Sequence, residues 1–430
     1  MATAVAPARP DADRVIRDAH DHCIFPLIHQ ADVRDFGPRV YVKGEGITLT
    51  DIDGKTYTDM MSSHTRANSL GYGNEEVARA VYEQLLTLHY IGTVNNVTEP
   101  SVRLATKIAE LAPGRLSKVM FVSGGSEAVE AAIKLAKQYH VHAGRKPRAT
   151  KIISRWFAYH GATMGALGAT DWLNTRHIAE PGVPGYSLIP GPSNYRNPFD
   201  MEEEAYADFC ATYLERQIQH EGPEYIAAFI AEPIMQANGV QIPPKRYLER
   251  VREICTKYDV LWINDEVITG FGRAGAWFAI DHYGLEPDIV TMAKALTAGY
   301  MPMGAVITRP EIADALPIFR HVHTFSGHAG AAVDGYRGQR GDLAVGAAQL
   351  LLRQQEHLPV EARVHDQGEG PRAVVEHDVA GTHDSLATVL DEQRAAGELH
   401  ADLQRDRIPG PDLTLPADVD VLATDHLAHL

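Results

Sequence analysis

Seven apolar runs of four to six residues recur between Lys118 and Thr308, with helical spacing of Ala, Val, Ile and Leu between them. They occupy residues 118–122, 151–154, 187–190, 227–231, 260–264, 289–293 and 303–308. Runs this short and this continuously apolar read as strands covered on both faces, and their alternation with helices predicts an α/β fold built on a mostly parallel sheet. In such sheets the chemistry gathers at the carboxyl ends of the strands. Upstream, residues 40–59 alternate apolar and polar around Asp53-Gly54, a hairpin signal, and residues 11–29 carry a helical pattern. These N-terminal elements predict part of a small lobe (1–70) beside a large domain (71–325). Residues 176–199, rich in Pro and Gly, predict a long loop at a substrate entrance or an interface.

Two strand ends carry groups that belong together chemically. The run from Pro287 ends on Lys294, and the run from Val260 ends on Asp265. Pyridoxal 5′-phosphate needs a lysine for its Schiff base and an acid facing its pyridine nitrogen. Alone, the aspartate would be an ordinary helix cap and the lysine a solvated loop residue. A third element joins them: strand 118–122, then Ser123-Gly124-Gly125-Ser126, then a helix over 127–139. That order brings free backbone N–H groups and the positive end of a helix dipole to one spot, a phosphate cradle. Taken by itself the segment would pass as a Ser-capped helix.

The stretches FVSGGSEAVEAAIKLAKQ, AYHGATMGALGAT, AFIAEPI, VREICTKYDVLWINDEVITGFGRAGAWFA, PDIVTMAKALTAGYMPMGAV and HTFSGH, in this order, resemble class III (ω-amino acid type) aminotransferases of the fold-type I pyridoxal phosphate enzymes. Within the class, the AYHG context and the MAKALTAGYMPMGAV run look most like the amine:pyruvate and β-alanine:pyruvate branch. The resemblance implies that Lys294 forms the Schiff base and shuttles a proton, and that Asp265 keeps the pyridine nitrogen protonated. It implies that Val267 and Tyr159 cover the two faces of the ring. Gly125 and Ser126 would contact the phosphate, and Glu232 would lie near the cofactor hydroxyl, with His160 in support. Thr324 resembles the threonine that reaches the phosphate of the neighbouring subunit, which implies a homodimer with shared sites. Ser123-Gly124 departs from the Asn-Ser of many relatives. Each residue also has a plainer reading: Tyr159 and Val267 as core, Glu232 as a turn carboxylate, and Arg273 as a structural ion-pair former rather than a substrate ligand.

A formal net charge of −16 argues against a nucleic-acid partner and for small-molecule substrates, here an amine and a keto acid. Three cysteines without CxxC spacing give no disulfide framework and suit a reducing cytoplasm, and no apolar run approaches a membrane span. The His20-Asp21-His22-Cys23 and His321-Val322-His323 clusters lack the second half of a zinc site, so no metal is expected. The tail breaks the pattern. From Ser326 onward there is no Phe, Trp, Met, Cys, Lys or Asn, and only Tyr336 and Ile408 represent their types. Such a break in the 326–430 lobe is what a reading-frame change in a GC-rich gene produces; a divergent folded lobe, with helical patches at 342–356 and 385–404, is the alternative. The expected activity is transfer of an amino group to a keto acid such as pyruvate. A catalytically impaired scaffold, or an aminomutase, epimerase or decarboxylase on the same fold, are the other readings.

Overall fold

The computed structural model describes residues 11–339 apart from 173, 174, 180, 194, 196, 198 and 238. The patches at 342–356 and 385–404 lie outside the described residues.

At the N-terminus the helix expected over 11–29 ends early, at His22, and a second helix begins only beyond that range. Helix α1 (Ala12–His22) is capped by the Asp11 carboxylate on the Arg14 N–H at 3.2 Å and stops at Cys23, which is extended. Helix α2 (Gln30–Phe36) follows. The expected hairpin is a three-stranded antiparallel sheet of β1 (Tyr41–Glu45), β2 (Thr48–Asp51) and β3 (Thr56–Thr58). Its extra turn runs through Gly46, whose φ of 59° suits glycine. Helices α3 (Glu75–Thr87) and α4 (Glu99–Leu111) lead into the main sheet, each with a side-chain N-cap, Asn74 and Thr98.

The main sheet contains β4 (Lys118–Val122), β5 (Lys151–Arg155), β6 (Tyr186–Ile189), β7 (Ile226–Ala231), β8 (Leu261–Asp265), β9 (Ile289–Met292) and β10 (Gly304–Thr308). Their spatial order is β4-β10-β9-β8-β7-β5-β6. All pairings are parallel except those of β10, which runs antiparallel to both β4 and β9. Between the strands lie α5 (Gly125–His142), α6 (Met164–Gly168), α7 (Thr175–Ile178), α8 (Glu203–Glu221) and α9 (Lys245–Lys257), with α10 (Pro310–Ala313) and α11 (Ala329–Gly338) after β10. The expected 176–199 loop thus includes part of α7 and all of β6.

Alternation along β7 and β8 divides the core in two. Phe229, Ala231 and Trp262 face a layer with Leu214, Tyr247 and Val251 from α8 and α9. Ala228, Ile230 and Ile263 face Ala128, Ala132 and Leu135 of α5. Every residue of β7 through β10 is buried, which is why these strands read as unbroken apolar runs. Beyond β10, α11 packs against α3 and α4.

Candidate active site

The carboxyl ends of β4, β5, β7, β8 and β9 surround a cavity of about 120 Å³. Eight of the nine candidate residues line it, with Gly161, Ile234, Ile268 and Thr269 completing the wall. Thr324 is the exception: it is exposed, and its carbonyl accepts the Tyr90 hydroxyl.

The cradle is built from β4 and α5. Helix α5 begins with no side-chain cap, so the first-turn N–H groups of Gly125 and Ser126 lack intrahelical partners where these residues line the cavity. Glycine is required at 125, because a Cβ there would lie 2.8 Å from Val267 Cγ1. Ser126 Oγ accepts the Ala162 N–H at 3.0 Å, which leaves its own proton to donate. The helix N-terminus and this hydroxyl suit an anionic group.

Asp265 closes β8 and is 4% exposed. Its Oδ1 accepts the Val267 N–H at 3.1 Å and the Thr291 hydroxyl at 2.9 Å. Its Oδ2 accepts His160 Nδ1–H at 2.7 Å, which places the imidazole proton on Nδ1. His160 therefore touches the key carboxylate directly, a closer part than the supporting one its sequence context suggests. Its buried Nε2 has no hydrogen-bond partner and lies 3.7 Å from Glu232 Oε2. Glu232 Oε1 accepts the Tyr159 N–H at 3.1 Å, while Arg155 Nη2 donates to both Glu232 Oε2 (2.8 Å) and the Glu232 carbonyl (2.7 Å). Glu232 is thus an ion-paired wall of the site rather than a turn carboxylate. The Tyr159 ring stands edge-on to Trp172 at 5.3 Å.

Lys294 follows β9 with φ of 44°, in the left-handed region. Burial holds its amine below the ordinary lysine value; the nearby Asp265 opposes this and Arg66 reinforces it. A larger neutral fraction makes the amine a better nucleophile and base.

Three residues that sequence reasoning missed complete the arrangement. Arg155 is fully buried at the end of β5, and a charged residue closing an apolar run was the available signal. Thr291 sits inside the lysine strand. Glu266, next to Asp265, takes the N–H groups of Ala279 (3.1 Å) and Ile280 (2.9 Å), the Asn264 amide (3.1 Å) and the Thr269 hydroxyl. Burial pushes its carboxyl up to about 7, against those donors. Arg273 forms no ion pair among the described residues. Its Nη2 instead donates to Ser62 Oγ at 3.2 Å and the Arg66 carbonyl at 3.4 Å, tying two loops together. His321 Nε2 and His323 Nε2 face each other at 2.9 Å, with Glu127 Oε2 3.5 Å from His323 Nδ1.

Several known proteins are similar to this chain in sequence or in overall fold. A probable aminotransferase of Mycobacterium tuberculosis is 41% identical over 323 residues, covering 74% of this chain and 66% of that protein. The putrescine–pyruvate aminotransferase of Pseudomonas aeruginosa is 37% identical over 318 residues, covering 73% of this chain and 69% of its own. The chain thus spans about two thirds of the length of these relatives. The ω-transaminase of Pseudomonas jessenii, solved in complex with PMP, superposes with a TM-score of 0.73 at 32% identity, over 79% of this chain and 75% of that one. The family model described as aminotransferase class-III matches residues 30–334, a stretch that contains the cradle, Asp265 and Lys294. The chain belongs to the class-III aminotransferase family.

Proposed function

We propose that this chain moves an amino group from a primary amine or ω-amino acid to a keto acid, with pyruvate as acceptor, using pyridoxal 5′-phosphate. The observation that carries this is one buried cavity holding the Lys294 amine, the Asp265 carboxylate and an uncapped helix N-terminus. Among the relatives, the pseudomonad putrescine–pyruvate enzyme supports pyruvate as the acceptor class.

The residues present fit the cofactor. The absent Cβ of Gly125 lets Val267 pack against the start of α5, whose first-turn N–H groups line the cavity, and the Ser126 hydroxyl proton is available to a phosphate oxygen. Tyr159 and Val267 are the side chains that would hold the ring from its two sides. When bound, the cofactor supplies a protonated pyridine ring that withdraws electrons from the substrate carbon. The chain's own groups do the rest. Asp265, fixed by Thr291, the Val267 N–H and His160, would face the ring nitrogen and hold its proton. Arg155 and Glu232 anchor the backbone of Tyr159. Lys294 Nζ, whose burial holds it below the ordinary lysine value, is the base that would take the proton from the carbon bearing the amino group. Thr324, exposed and away from this cavity, serves the phosphate site of a second copy, which makes the working unit a homodimer.

The test is direct. Borohydride fixes the cofactor to Lys294 in a peptide map, and the full-length protein completes a half-reaction with an amine donor. Lys294→Ala loses both. Unchanged turnover in Lys294→Ala removes the assignment, and a colourless wild type favours the scaffold reading.

A further inference from the structure

The turn that carries Lys294 makes few bonds of its own. Lys294 (φ 44°) and Ala298 (φ 49°) both sit in the left-handed region that residues with side chains avoid. The Leu296 N–H bonds the Ala293 carbonyl at 2.9 Å and the Thr297 N–H bonds the Lys294 carbonyl at 3.2 Å. Among the described residues, the carbonyls of Ala295 and Leu296 accept no backbone N–H, although both residues are buried. Buried carbonyls need partners, and here one side chain supplies both. Gln339 Nε2 donates to Ala295 O at 3.2 Å and to Leu296 O at 3.0 Å, matching its two amide protons to two acceptors. Gln339 is 3% exposed and directly follows α11, its own N–H bonded to the Gly335 carbonyl at 3.1 Å. The helix comes this close because position 335 is glycine: a Cβ there would lie 3.3 Å from Leu296 O and 2.9 Å from Leu104 Cδ2.

We propose that Gln339 is a positioning residue for Lys294, its amide gripping the two carbonyls that follow the lysine so that the turn presents the amine to the cavity. This rests on the reading of Lys294 as the cofactor-bearing lysine. Without the amide, both carbonyls must find other partners, the turn rotates out of its left-handed conformation, and the amine moves toward solvent. Solvation favours the ammonium, so the amine then titrates at higher pH.

Trace acetylation of the full-length chain, stripped of cofactor, reads this at Lys294 across neutral to strongly alkaline pH, with peptide mass spectrometry as the detector. Lys146 is the internal reference. It is buried at the opposite ends of the strands, its amine bonded to the Ile226, Tyr258 and Asp259 carbonyls. In Gln339→Leu the Lys294 midpoint rises by about half a pH unit, which lowers the neutral fraction about threefold at fixed pH, and Lys146 stays unchanged. Gln339→Glu keeps the side-chain volume but turns a carboxylate toward two carbonyls, so its shift is at least as large. Should Gln339→Leu not fold, Gln339→Asn, a methylene short of both acceptors, carries the same comparison. Lys294 curves that superimpose on the wild type in these variants overturn the proposal, whatever happens to the urea midpoint, and leave Gln339 a packing residue of α11. Borohydride fixation in the wild type judges the lysine assignment separately, since labelling of Lys294 does not require that it hold the cofactor.

Discussion

Asp265 gathers three donors on two oxygens, and the change that isolates its charge is Asp265→Asn. The amide keeps the shape of the carboxylate but cannot hold a proton on the ring nitrogen by charge. Cofactor binding survives, while the half-reaction with amine slows by roughly 10²–10³-fold, the scale of losing one preorganised electrostatic group. Stopped-flow absorbance measures it, and equal rates in the two proteins would sink the role. Its neighbour Glu266 makes a different demand. The folded carboxyl titrates near 7 and the free one near 4.5, so the folded chain binds the extra proton between those values. Stability attributable to Glu266 is therefore greatest below the lower value and declines as pH rises toward the upper one, by at most about 3 kcal/mol. Urea midpoints taken across that window fall more steeply in the wild type than in Glu266→Gln. Parallel pH profiles would show that the buried carboxyl is ionised throughout.

At the scale of elements, the cradle depends on the close approach of α5 and Val267, two residues after β8. Gly125→Ala places a methyl 2.8 Å from Val267 Cγ1 at a helix start where alanine is otherwise welcome. The expected result is an intact fold, by circular dichroism and urea midpoint, with cofactor affinity reduced tenfold or more (about 1.4 kcal/mol). Unchanged affinity in a fluorescence titration would show that the approach is not needed. The same elements explain what the sequence disclosed. All seven main strands fall within a residue or two of their apolar runs, most plainly β7 to β10, whose residues are buried on both faces and mostly apolar. Lys294, Asp265 and the cradle were legible because they sit where such runs end. Arg155 was not, since its partner Glu232 is 77 residues away and only the parallel pairing of β5 and β7 brings them together. The N-terminal helix was read too long: the periodicity persists to His29, but the chain turns extended at Cys23, three residues before Pro26. The Gln339 contact had no local signature, because it depends on where α11 docks.

For the whole molecule, the position of Thr324 separates a self-sufficient site from a shared one. It is exposed and lines no part of the cavity formed by its own chain. If each cavity borrows the Thr324 of a second copy, a mixture of Lys294→Ala and Thr324→Ala chains contains heterodimers with one doubly damaged site and one intact site. Turnover then rises on mixing above the sum of the two separate preparations, in proportion to heterodimer formed. A strictly additive result would place Thr324 outside the shared site.

The two halves of the cavity come from strands that are not neighbours in the sheet. Strand β4 delivers the cradle and β9 delivers the lysine, and between them lies β10, antiparallel to both. Among the described strands it is the last in chain order. Until Gly304–Thr308 has inserted, the glycine turn and the lysine lack a strand between them, and only the packing of α5 on the sheet, β9 included, holds them together. Pairing β4 with β10 closes the long stretch between Val122 and Gly304, whereas β9 meets β10 across a short connection. On the proposed reading, the cofactor site is therefore complete only once the sheet has closed: yellow colour in a refolding population is expected to lag behind its helical signal, and colour that leads it would contradict this order.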